Sequence, residues 1–223
     1  MNWALRVCLN LSFVIIRAPR PATGNPDTPS ITVRTYNLAN APLKDLVQAS
    51  LVAGQIFREA GIEIRWLSCA LSFEEARTNR ACEETTGRHD FDVVVSTASV
   101  TRPGIATDAS LGFTFPLVRG SQAVVLWERS KKMAKGSGVP AGIILGHATA
   151  HELGHLLLHS MEHSRTGIMC SRWGKEELLR AESGRLLFTT GQAEAMRVEV
   201  RPRTVHDGGW TGRSRARLRR AWV

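Results

Sequence analysis

His151-Glu152-Leu153-Gly154-His155 constrains this chain more than any other stretch. Residues four apart lie on one face of an α-helix, so this HExxH spacing lets two imidazoles point at a single metal ion. The glutamate between them lies beside a water on that metal and is placed to take its proton. The pattern works only on a helix. Residues 140–160 suit one, being rich in Ala, Leu, Ile and His with no proline after Pro140.

Two histidines leave a tetrahedral metal one protein ligand short of a catalytic site. His159 continues the every-fourth-residue row, but six residues at about 1.5 Å each put it roughly 9 Å beyond the level of residue 153. An imidazole and its metal bond span only about 6 Å from the Cα. His163 reaches the metal if the chain turns back around residues 160–162. A glutamate from a second helix, Glu176 or Glu177, is the other candidate. His147 lies one turn before His151, either as an outer support for a ligand or as an ordinary helix histidine. Cys170 is expected to pack rather than bind metal. His89 and His206 stand in polar, loop-like surroundings and are expected at the surface.

The chain has 223 residues and is 43% hydrophobic, enough for one domain with a full core. Its formal charge of +9 first suggests nucleic acid, but the ends account for all of it. Arg6, Arg17 and Arg20 give the first twenty residues +3. Seven arginines and Asp207 give residues 201–223 +6. The stretch between is neutral, so no basic stripe is expected on the fold and nucleic-acid binding is excluded.

Residues 1–18 read as an export signal, with a charged start, an apolar run over 7–16 and Ala18 as the cleavage point. An apolar N-terminal strand is the alternative. Ten apolar residues are too few to span a membrane. Residues 19–30, with four prolines, read as a linker, and 201–223 as a basic disordered tail. Cys69 and Cys82 flank a charged, loop-like stretch that a disulfide would close, as suits a secreted or periplasmic protein; two buried free thiols are the alternative. A monomer is expected.

Hydrophobic periodicity predicts strands over 31–37, 62–67, 91–96, 111–115 and 122–128, with helices over 42–60, 175–181 and 191–200 besides the motif helix. Leu156, Leu157, Leu158 and Trp173 read as core.

The stretch after the motif resembles the metzincin plan. His163 and then Ser164-Arg165-Thr166-Gly167-Ile168-Met169 look like that family's third histidine and methionine turn. HELGHLLLHSMEHSRTGIMCSRW, with IFREAGIEIRWLSC upstream, is similar to a group of small secreted bacterial metzincin-like proteins, a likeness that covers about residues 31–200. Two departures stand out. The usual HExxHxxGxxH places a glycine at position 158 and a histidine at 161, where this chain has Leu158 and Met161. No tyrosine follows the methionine, since Tyr36 is the only one.

The resemblance implies an α+β fold. A mixed five-stranded sheet would pack with a long helix and the active-site helix, above a small helical C-terminal subdomain. It implies one catalytic Zn2+ on His151, His155 and His163, Glu152 as general base, and Met169 as support beneath the metal. It also implies a protein or peptide substrate, held along an edge strand at Gly112, Phe113 and Thr114 by backbone pairing. An ordinary hairpin arm is the plainer reading of that strand. His89, Arg102 and Arg119 are unranked candidates to steady an oxyanion. The expected activity is that of a zinc metallopeptidase. A zinc-stabilised binding protein and a hydrolase of non-peptide amides are the rivals, and the intact Glu152 speaks against the first of them.

Overall fold

Alternating apolar residues fold into a five-stranded mixed sheet, and the long apolar segments fold into helices laid on it. The computed structural model describes residues 28–69, 82, 87–97, 110–116 and 121–201. The leader at 1–18, residues 19–27 of the linker and all but the first residue of the tail lie outside the described residues. Among the described residues no helix is long and apolar enough to cross a membrane.

The elements run β1 (Ser30–Asn37), α1 (Leu43–Glu59), β2 (Glu63–Cys69), β3 (Asp90–Ser96), β4 (Gly112–Pro116) and β5 (Ser121–Leu126). Four further helices follow: α2 (Trp127–Ser137), α3 (Ala141–Leu158), α4 (Lys175–Glu182) and α5 (Thr190–Val200). The sheet order is β2-β1-β3-β5-β4, with only β4 antiparallel to its neighbour. β4 is therefore an edge strand lying beside β5.

One face of the sheet presents Ile31, Val33, Phe91, Val93, Val95, Ala123 and Val125 to the main core. The opposite face carries a smaller cluster of Phe113, Val124 and Leu126. This division follows from the two-residue period of a strand. Helices α1 and α3 cover the main face. Their close crossing depends on Gly146, where a Cβ would fall 2.7 Å from the Ala49 carbonyl and 2.7 Å from Val52 Cβ. α3 is buried on nearly every side, which explains a sequence that is apolar all round.

α5 begins at a reciprocal cap. The Thr189 hydroxyl accepts from the Gln192 N–H at 3.3 Å, and the Gln192 side chain accepts from the Thr189 N–H at 3.0 Å. Met196 and Val200 then join the core, and Phe188 meets Phe57 edge-on at 5.2 Å. Cys69 and Cys82 form a disulfide, one of the two readings open for this pair.

One expectation fails. The strand placed at 122–128 ends at Leu126, and Trp127 opens helix α2, which the sequence reading missed. The apolar run QAVVLW gives no sign of where strand becomes helix. Among the described side chains of α2 only Trp127 and Ser130 are buried, so few apolar residues mark the helix. Gly138 stops it in the left-handed region, at φ 82°.

Candidate metal centre

The second half of α3 carries His151, Glu152 and His155, all buried, at 9%, 5% and 4% exposure. The helix ends at His159, whose φ of 49° and ψ of 37° reverse the chain. That reversal brings His163 back to the helix. Its ring stacks on His151 with centroids 5.3 Å apart and meets His155 edge-on at 4.9 Å. One ligand atom from each of His151, His155 and His163 lies within 4.8 Å of the others.

His159 does not join them. It turns outward, and its Nε2 sits 3.3 Å from Glu199 Oε1 on α5. Glu176 is exposed and pairs with Arg180, while Glu177 Oε2 accepts the Gly174 N–H at 2.9 Å. Cys170 Sγ lies 3.7 Å from the Arg165 carbonyl and is outside the cluster. His89 lines a cavity of about 130 Å³ with Arg88, His159 and Glu199, away from the three-histidine group. Arg102, Arg119 and His206 lie outside the described residues.

Backbone carbonyls set the ring orientations. His151 Nδ1 lies 2.7 Å from the Ile168 carbonyl, and His155 Nδ1 lies 2.7 Å from the Ser160 carbonyl. A carbonyl only accepts, so each Nδ1 carries a proton, and in the neutral imidazole each Nε2 then carries a lone pair. Those two Nε2 atoms are 3.0 Å apart. Two lone pairs at that separation repel and cannot hydrogen-bond. A shared cation resolves the conflict: two nitrogens roughly 2.05 Å from one ion at the tetrahedral angle are about 3.3 Å apart. The residues present thus fit a metal held by imidazole nitrogens.

The turn after His163 is tied down by backbone hydrogen bonds. The Ser164 N–H donates to the Met169 carbonyl at 2.9 Å, and the Ile168 N–H donates to the Leu187 carbonyl at 2.9 Å. Gly167 turns the chain at φ 77°, where a Cβ would meet the Leu187 carbonyl at 2.7 Å. Met169 is fully buried. A Cβ on Gly154 would come 2.7 Å from its sulfur and 2.7 Å from the Phe188 ring. The second variable position of the HExxH motif is therefore filled by glycine so that the methionine can press against the helix.

Gly112 does the same for the glutamate. A Cβ there would lie 2.8 Å from Glu152 Cγ and 2.9 Å from Glu152 Oε1. Edge strand β4 thus passes directly against the carboxylate side chain. Trp173 walls the other flank, its ring 6.0 Å from His151 and 6.1 Å from His147. His147 itself is buried and bonds through Nδ1 to the Ile143 carbonyl at 2.9 Å, as a helix histidine does.

Burial dominates the electrostatics. It pushes the imidazolium of His151 down to about 3, with positive neighbours His155 and His163 adding to the effect, and that of His155 down to about 4. His163 is lowered for the same reason. Neutral imidazoles at pH 7 are what metal ligation needs. Burial also pushes the Glu152 carboxyl up, to about 8.

Sequence reasoning missed the Ser160 and Ile168 carbonyls, because every residue has one and no residue type marks it. It took Trp173 as plain core, since nothing in the sequence told which ring it would face. No protein-family model, characterised protein or solved structure matches this chain.

Proposed function

We propose that this protein is a zinc-dependent peptidase of metzincin type, exported from the cell, that hydrolyses peptide bonds with Glu152 as general base. The observation that carries the reading is the facing pair of Nε2 lone pairs on His151 and His155, with His163 beside them and a buried carboxyl on the same helix. Three neutral imidazoles with no acidic ligand are a donor set that zinc favours. Bound zinc would supply Lewis acidity, lowering the pKa of water and polarising a carbonyl.

The chain's own residues do the remaining work. His151, His155 and His163 would hold the ion, and the Ile168 and Ser160 carbonyls keep the first two rings in the ligating tautomer. Glu152 removes a proton from the attacking water and delivers it to the leaving nitrogen, so it ends the cycle as it began. Gly112 leaves room for that carboxyl. β4 offers its outer edge to an extended chain, which would pair with it through main-chain hydrogen bonds. Met169 would steady the site from below without binding the ion. The disulfide supports an oxidising destination.

The test is hydrolysis of casein and of a mixed peptide library by purified protein, with and without a chelator. Cleavage that chelation abolishes and zinc restores is the expected result. Stoichiometric zinc with no cleavage of any peptide would assign the site to a binding protein instead.

A further inference from the structure

An extended chain added to a sheet edge is read through alternate side chains, because cross-strand neighbours point to the same face. On β4 the faces are well defined. Gly112 stands opposite Val125 and Thr114 opposite Ala123, and both of those β5 residues belong to the core beneath α1 and α3. Phe113 and its partner Val124 belong to the other face. A residue paired opposite Gly112 would thus project toward Glu152. The residue two positions away, opposite Thr114, would project on that same side.

Met161 waits there. Its Sδ lies 3.3 Å from Thr114 Oγ1, yet the residue is 56% exposed. It belongs to the turn between the Ser160 carbonyl that orients His155 and the ligand candidate His163. The connection from His155 to the third histidine is two residues longer here than in the pattern this chain resembles, and Met161 stands where that pattern has its histidine. A long, adaptable apolar side chain is thereby held at the rim of the metal centre, in contact with the edge strand.

The geometry points to Met161 as a specificity-determining residue: it forms the wall of a subsite, opposite Thr114, that selects a large apolar side chain two residues along the substrate from the one facing Glu152. This inference rests on the peptidase reading and on pairing at β4. It deepens both by naming what the site recognises.

Cleavage-site profiling of a degenerate peptide library by the full-length, zinc-loaded chain tests it. The wild type should favour Leu, Met or Phe over Asp or Lys at a single subsite by at least about tenfold, a ratio within the reach of an apolar pocket. Met161→Leu should keep that preference and Met161→Ala should flatten it. Met161→Lys should convert it to a preference for Asp and Glu at that subsite alone. Zinc content and the summed rate over all peptides report whether each variant remains intact. An Ala or Lys variant that binds zinc, cleaves the library and shows the wild-type profile at every subsite overturns the inference while leaving the peptidase reading in place. A wild type that binds zinc and cleaves nothing overturns the peptidase reading, and this inference with it.

Discussion

Helix α3 and the residue that caps it carry histidines at 147, 151, 155 and 159, four residues apart, yet the two halves of the helix do different things. In the first half Gly146 lets α1 approach, and His147 turns its Nδ1 back to the carbonyl of its own helix. In the second half Gly154 admits Met169, and the His151 and His155 rings bond to carbonyls outside the helix, at 168 and 160. His159 ends the helix and leaves the row to meet Glu199. Four residues of one type on one stripe thus meet three environments. Spacing alone makes a histidine available; whether its Nε2 faces those of its neighbours decides whether it joins the cluster.

The sharpest way to break this comparison is to disable the chemistry without disturbing either half. Glu152→Gln keeps the size of the side chain and removes its basicity. Hydrolysis should fall by about 10²- to 10⁴-fold, the usual contribution of a general base, while zinc content and melting temperature stay near wild type. A mutant that binds zinc and still cleaves at the wild-type rate would remove Glu152 from the mechanism.

The histidines come next. At a buffered free-zinc level, His151→Ala, His155→Ala and His163→Ala should each lose the ion at concentrations where the wild type is saturated. His147→Ala and His159→Ala should stay within about tenfold of wild-type affinity, less than the 10- to 100-fold that losing an outer support of a ligand typically costs. Retained affinity in His163→Ala would show that something else completes the site.

The two glycines give a smaller and more discriminating effect. Gly146→Ala and Gly154→Ala each add one methyl to a filled space, at about 1–3 kcal/mol of overpacking. The first pushes on backbone, the Ala49 carbonyl, and should lower the melting temperature with zinc affinity unchanged in the protein that folds. The second displaces Met169 Sδ, whose neighbour Ile168 holds the His151 ring, so it should weaken zinc binding as well. Equal zinc affinities in the two variants would mean that the methionine turn does not communicate with the ligands.

Much of this division was legible from residue spacing. Helix rise and bond lengths were enough to strand His159 on the rod, while the preference for His163 over Glu176 or Glu177 came from the metzincin resemblance; the structure groups His163, and not His159, with His151 and His155. β1 and β2 followed from alternation, β3 from a short apolar run flanked by acids, and β4 and β5 from their place on either side of a turn. What stayed hidden was of two kinds. Helix α2 buries little and carries few apolar residues, and its start is masked by the apolar run of β5. The carbonyls of Ser160 and Ile168, the contact of Gly112 with Glu152 and that of Met161 with Thr114 all join residues distant in sequence or atoms that every residue possesses. Such contacts exist only once the chain is folded.

The smallest effect belongs to the far end of the row. Glu199 raises the His159 imidazolium above its ordinary 6.5, and His159 in turn lowers Glu199 below its ordinary 4.5. The signs define a window. The share due to His159 is fully present below pH 6.5 and is lost as pH rises through its raised value. The share due to Glu199 is present above pH 4.5 and is lost as pH falls through its lowered value. The pair therefore contributes most between about pH 4.5 and 6.5. His159 is 59% exposed at its side chain, so screening keeps the contribution below about 1 kcal/mol. His159→Ala should lower the melting temperature slightly at pH 5.5 and by less at pH 8.5, with zinc affinity near wild type at both. A loss of zinc that follows the same pH window would place His159 in the metal centre and erase the distinction between the end of the row and its middle.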